Sequence, residues 1–177
     1  MAKKKSAKQS GQVNKRIKER DKGTLSKLVN LADDVSTNAF KAKEIAVAIP
    51  TRSRSNTIWN KRRGILQMGD AKQTRELFNL NQAKQFMQTV LHASTIKELI
   101  EADKTSSLRG VFYKAKHTVA GTKENTFEDQ DESDPILEDL EVTLSALREE
   151  LHVFAENRGA LVGNITIVDK GDEIDCR

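Results

Sequence analysis

Cysteine occurs once in the 177 residues, at Cys176. That excludes an internal disulfide framework and any thiolate metal cluster built within a single chain. Long apolar runs are missing too: none approaches the roughly 18 to 20 residues of a membrane span. Met1 is followed by AKKKSAKQ, without the apolar core of a signal peptide. These absences lead us to expect a soluble, cytoplasmic chain with no membrane association. Tyrosine and tryptophan also occur once each, as Tyr113 and Trp59, so chemistry that needs a phenol is confined to one position.

The 37% of apolar residues suffice for one core with a small appendage. The net charge of +4 hides a division along the chain. Residues 1–125 carry 26 Lys and Arg against 11 acids, and residues 126–177 carry 4 against 15. A basic amino-terminal region is the electrostatic footprint of a protein that meets a polyanion, nucleic acid being the commonest; a charged, solvated surface is the alternative.

Residues 1–22 hold nine basic residues, two acids and almost nothing apolar, which predicts a disordered basic arm. From 24 to 45, Leu25, Leu28, Val29, Leu31, Val35 and Phe40 fall at helical spacing. Residues 23–70 are expected as that helix followed by a β-hairpin, TIW and ILQM joined by the turn NKRRG. A second amphipathic helix is expected over 80–103, with Phe86, Met87, Val90, Leu91, Ile96, Leu99 and Ile100 on its apolar side. The hydroxyls of DKTSSLR can cap a third, from about Leu108 to His117. A fourth is expected from Asp134 as N-cap with Pro135 in its first position. LHVF and ALVGNITIVD alternate as strands do, joined by AENRG as a turn or wing. Helix, helix and short hairpin give the order of a winged helix, so the fold class expected is α+β, with residues 71–177 as a winged-helix domain. Glu138, Asp139, Glu141, Glu149 and Glu150 make its last helix acidic, which argues against ordinary major-groove reading by that helix.

Within SSLRGVFYKAK, Arg109 and Tyr113 are spaced i and i+4 and share one helix face. A phenol is a poor nucleophile at neutral pH, but a neighbouring guanidinium can stabilise both a developing phenolate and a pentacovalent phosphate. The alternative is that Tyr113 packs its ring and Arg109 pairs with an acid. Arg52, Arg54, Lys61, Arg62 and Arg63 cluster on the hairpin and are candidates for DNA-backbone phosphates. Trp59 beside them can stack on a base or simply pack. His92, His117 and His152 show no ligand spacing, so no metal site is expected from them; His117 is also a candidate general base.

TSSLRGVFY, read with FEDQDESDPILEDL and the residues after it, resembles the A subunit of type IIB DNA topoisomerases, the family that includes the meiotic double-strand-break transesterase. The likeness runs from about Ile45 to the end and includes AIPTRSRSNTIW. It rests on a Leu-Arg pair before two aromatics and on the acid-Gln-x-Glu-Ser-Asp run Asp129, Gln130, Asp131, Glu132, Ser133 and Asp134. The resemblance implies that Tyr113 is the nucleophile of DNA cleavage and rejoining, with Arg109 its cation. It further implies double-stranded DNA as substrate, a homodimer of A subunits in a heterotetramer with an ATP-hydrolysing B subunit, and Mg2+ held by a Toprim domain. We expect that domain, and the metal ligands, to lie outside this chain, leaving the chain alone inactive. The family's usual Tyr-Tyr pair is here Phe112-Tyr113, and its usual acid after the arginine is Gly110. The acidic run is expected either as solvated loop and helix-start residues or as a partner for Arg109. A non-catalytic winged-helix DNA-binding module is the main rival, and an interaction protein whose acidic half binds a basic partner is another.

Overall fold

The computed structural model describes residues 2–41, 44–62, 64–154, 163–164, 166–169 and 172–175. Helix α1, Ala2–Phe40, is about 58 Å long at 1.5 Å per residue. The expected disordered arm is thus corrected: residues 2–22 are the first part of this helix. Ala, Lys, Gln and Arg dominate the stretch and lose little rotamer freedom in a helix, and no proline interrupts them. Further along, α1 settles on the body through Thr24 and Leu28, which are buried, and through half-buried Leu25, Leu31 and Val35. Their recurrence every three or four residues is that of one helix face. Lys27 fastens the same stretch by donating from Nζ to the Ser145 carbonyl at 3.0 Å.

Four strands follow: β1 (Ala46–Pro50), β2 (Thr57–Asn60), β3 (Ile65–Met68) and β4 (Lys72–Glu76). The hairpin expected from TIW and ILQM is the antiparallel pair β2–β3, with Trp59 opposite Leu66. Its base is a second antiparallel pair, β1–β4, with Val47 opposite Arg75, so that residues 46–76 make one long two-stranded arm. Buried Asn56 stitches the two pairs together, donating from Nδ2 to the carbonyls of Thr51 and Ala71 and accepting at Oδ1 from the Ala71 N–H. Gly69 lies across from it; a Cβ there would come within 2.5 Å of Asn56 Oδ1. Val47 and Ile49 turn inward with Phe86 and seat the base of the arm on the body.

Helix α2 (Ala83–Glu101), strand β5 (Ser106–Ser107), helix α3 (Leu108–Ala115) and helix α4 (Gln130–Thr143) form the centre. Their core joins Ile96, Leu99 and Ile100 of α2 to Val111 of α3 and to Leu137 and Leu140 of α4. Within α2, Val90 departs from the expected stripe and is exposed, while His92 and Thr89 are buried. Helix α4 starts earlier than expected because Asp129, not Asp134, is its N-cap, accepting from the Glu132 N–H at 3.2 Å. Pro135 therefore lies inside the helix and gives up the N–H that would reach the Asp131 carbonyl.

Beyond α4, residues Arg148–Leu151 form a 3-10 turn, and β6 (Val153–Phe154) pairs in parallel with β5. β6 was expected to join a hairpin with the later strand through AENRG. It pairs with β5 instead, and the later hairpin is β7 (Thr166–Asp169) with β8 (Asp172–Asp175); AENRG, at 155–159, lies outside the described residues. The class is α+β, with the three-helix core and short strands of a winged-helix-like domain. Among the described residues no helix is long and apolar enough to cross a membrane.

Candidate active site

Helix α3 is short, and its position is set from one side. Ser107 caps it, accepting from the Gly110 N–H at 3.0 Å. Val111, Phe112 and Ala115 are buried, which turns Arg109 and Tyr113, one turn apart on the opposite side, outward. The Tyr113 residue is 62% exposed, so its ring leans on the surface without being sealed beneath it. Its one described ring contact is with Phe112, at 5.1 Å between centroids and 51° between planes. Arg109 is exposed and, among the described residues, makes no ion pair or side-chain hydrogen bond. Gly110 meets a local demand, since a Cβ there would come within 2.3 Å of Ser106 Oγ. An acid in its place would have to displace that hydroxyl.

The far end of α3 is held by Thr126, buried, whose Oγ1 donates to the Ala115 carbonyl at 2.7 Å and accepts from the His117 N–H at 3.0 Å. Lys116 lies 5.2 Å above the Phe112 ring and donates to the Glu128 carbonyl at 2.5 Å. His117 follows the helix and is exposed. α3 is therefore a pedestal fixed at both ends.

The acidic run does something the sequence did not suggest. It does not reach Arg109. Glu132 pairs with Lys84 at 3.0 Å and accepts from Gln88 Nε2 at 3.1 Å, while Ser133 Oγ lies 2.9 Å from His92 Nε2. Burial pushes the Glu132 carboxyl up, but the bonds from Lys84 and the Glu128 N–H outweigh it and hold the group below the usual carboxylate range. Glu132 and Ser133 thus fasten the start of α4 to α2.

The other acids of α4 are neutralised from within. Asp139, buried, is held by Arg75, also buried, and by Arg52 at 2.7 Å, which also pairs with Glu138. Arg75 Nη1 donates onward to Thr89 Oγ1 at 2.8 Å. Burial lowers the Arg52 guanidinium, yet Asp139 and Glu138 more than offset it and raise its pKa. Glu141 pairs with Arg148 at 2.5 Å, which raises the Arg148 pKa, the hydrogen bond being the largest cause. The expected repulsion between this helix and DNA is thereby reduced at Glu138, Asp139 and Glu141.

Of the five hairpin cations, Arg52 forms a clamp between the arm and α4. Arg54, Lys61 and Arg62 are exposed and unpaired among the described residues, and Arg63 lies outside them. His152 is buried just before β6, with Nδ1 3.0 Å from the Lys104 carbonyl and Nε2 3.3 Å from Asp21. Among the described residues no group of three or more His, Cys, Asp or Glu side chains could hold a metal ion.

His92 is wholly buried, stacked on Phe127 at 4.7 Å, with Nδ1 lacking a partner. Burial lowers its pKa from 6.5 to about 4, the bond to Ser133 opposing this only in part. The unfolded chain therefore takes up this proton first on acidification. The contribution to stability is complete above about pH 6.5 and is lost as the pH falls toward 4, about 2 to 3 kcal/mol by pH 4.5. Urea unfolding at pH 7 and pH 4.5 measures it, with His92→Gln expected to flatten the pH dependence by that amount; parallel slopes would contradict it.

Residues 84–153 match the type IIB DNA topoisomerase family. That span runs from the first turn of α2 to β6 and contains Arg109, Tyr113 and the Asp129–Asp134 run; α1 and the β-arm precede it. Over 152 residues the chain is 43% identical to the A subunit of type 2 DNA topoisomerase 6 from Pyrococcus horikoshii, covering 86% of this chain and 40% of the relative. It is 36% identical over 168 residues to the protein of the same name from Saccharolobus shibatae, covering 88% and 43%. For the protein of that name from Methanothermobacter thermautotrophicus the identity is 34% over 153 residues, covering 86% and 42%. The chain thus spans about 40% of the length of the curated relatives it matches.

Proposed function

We propose that the chain belongs to the type IIB DNA topoisomerase family, as a counterpart of the amino-terminal part of its A subunit, and that it supplies the tyrosine that cleaves DNA. One observation carries this reading. The only phenol of the chain stands exposed on a helix whose opposite side is locked in the core, one turn from a guanidinium that no described side chain neutralises.

The phenolic oxygen of Tyr113 attacks a backbone phosphorus of duplex DNA. Its proton leaves, the bond from phosphorus to the deoxyribose 3′ oxygen breaks, and that oxygen takes up a proton as the 5′-phosphotyrosyl link forms. Rejoining is the reverse, so no phosphodiester energy is lost. Arg109 faces the charge that grows on the phosphate oxygens in the transition state. Arg54, Lys61 and Arg62 lie along the arm as contacts for backbone phosphates, which position a duplex without reading its sequence. Two copies, each cutting one strand, complete the proposed enzyme together with a magnesium site outside the described residues and an ATP-hydrolysing B subunit.

The test combines the chain with that B subunit, the metal-bearing remainder of the family's A subunit, Mg2+ and supercoiled DNA. Denaturing the mixture traps the covalent complex, and digestion maps the linked peptide. A nucleotide on residue 113 is expected; a link elsewhere, or none in an assembly that binds DNA, overturns the reading in favour of a non-catalytic DNA-binding module. Arg109→Ala is expected to slow cleavage by about 10²- to 10³-fold, the usual cost of losing one transition-state donor. Duplex affinity should stay within about threefold, since a single phosphate contact is a small part of such binding. Equal losses in affinity and cleavage would reduce Arg109 to an anchor.

A further inference from the structure

The β2–β3 hairpin stands away from the rest of the molecule. Among the described elements, the substantial packing of its strands is on each other. A two-stranded hairpin is marginal in water by itself, yet this one presents apolar side chains to solvent. Trp59 and Leu66 sit directly opposite each other and are 55% and 67% exposed, with Met68 beside them on the same face by strand alternation. A patch of this kind marks a surface that is covered when the protein works.

Charge identifies the cover. From Arg52 to Gly69 there are five basic residues and no acid. With Arg52 drawn away to Asp139 and Glu138, Lys61 and Arg62 remain at the turn beside Trp59, and Arg54 at the base. A cation-only rim repels a basic protein surface, and an apolar protein partner leaves its charge unanswered. A nucleic-acid duplex answers both, with phosphates for the cations and base faces for the aromatic ring.

We propose that this hairpin is a duplex-gripping ribbon whose Trp59–Leu66 pair enters the minor groove and wedges between base pairs, while Lys61 and Arg62 hold the flanking phosphates. The proposal rests on the family reading for its duplex but not on Tyr113 chemistry. It makes the arm a device that bends DNA, at steps chosen by their deformability and not by base contacts.

Because Trp59 is the only tryptophan, its emission reports the wedge directly. The full chain is titrated with a duplex of about 30 base pairs carrying a dye at each end, and anisotropy, end-to-end energy transfer and acrylamide access to Trp59 are read together. Binding is expected to quench and shield Trp59 and to bring the ends closer. Trp59→Ala should weaken binding about tenfold, within the range seen for lost base stacking, and return the duplex to its straight form. The pair Lys61→Ala with Arg62→Ala should lower the slope of log affinity against log salt by about 2 while bending persists. Trp59, Lys61 and Arg62 are exposed, so both proteins fold, which circular dichroism checks; Trp59→Phe keeps a ring and most of the bend. A complex that forms with Trp59 still open to acrylamide overturns the wedge and leaves the family reading intact. No complex with duplex overturns both. Shielding of Trp59 that grows with protein concentration in the absence of DNA assigns the face to a second copy and overturns the proposal.

Discussion

Tyr113→Phe is expected to lower covalent linkage to DNA by about 10⁴-fold or more, the scale of removing a nucleophile outright. The free energy of unfolding should move by less than about 0.5 kcal/mol, as for exposed substitutions away from structural features. The two halves of this expectation come from different facts. The hydroxyl is the only side-chain hydroxyl of α3, and it leaves no bond behind, because no described group holds it. The ring that remains keeps its contact with Phe112. Trapped complexes in the full assembly measure the first half, and urea melts of the chain measure the second. An undiminished adduct would move the nucleophile elsewhere. A large loss of stability would show that the hydroxyl belongs to the framework.

The same helix shows what could be read from sequence. Arg109 and Tyr113 share a face by arithmetic alone, and the apolar Val111, Phe112 and Ala115 fix which way that face points. The serine cap and the NKRRG turn are local signals too, complete within a few residues. What escaped the sequence is either a contest between equivalent local signals or a long-range pairing. Asp129 and Asp134 both suit an N-cap. The nearer one wins because Glu132 and Ser133, once helical, meet Lys84, Gln88 and His92 of α2. Arg52 looked like its neighbours Arg54 and Lys61, and only its seat beside Asp139, 87 residues away in the chain, separates them. Charge density predicted disorder for residues 1–22, although their side chains are good helix formers.

Asp139 is where this unforeseen layer is expected to weigh most. Its carboxylate is the shared partner of Arg75 and Arg52, and both it and Arg75 are buried. Asp139→Ala leaves the Arg75 guanidinium buried with only Thr89 as acceptor, and stranding a buried charge costs about 3 to 5 kcal/mol. Arg52→Ala removes the more exposed cation and should cost about 1 kcal/mol or less. The contrast distinguishes a buried clamp from a surface pair. Replacing both members, Arg75→Met with Asp139→Leu, removes the stranded charge along with its partner and should recover most of the loss, since apolar groups of similar volume often replace a buried pair at little cost. Urea midpoints of the four proteins decide the matter. If Asp139→Ala costs under about 1 kcal/mol, the pair is solvated and the arm is held mainly by Val47 and Ile49. With the clamp intact, β1 and β4 are tied to α4, and α4 through Glu132 and Ser133 to α2, the helix on which the tyrosine pedestal rests. The double replacement should therefore bind duplex as the parent does while bending it less, because a ribbon whose polar tie to α4 is reduced to Arg52 and Glu138 transmits less force to the base pairs it enters.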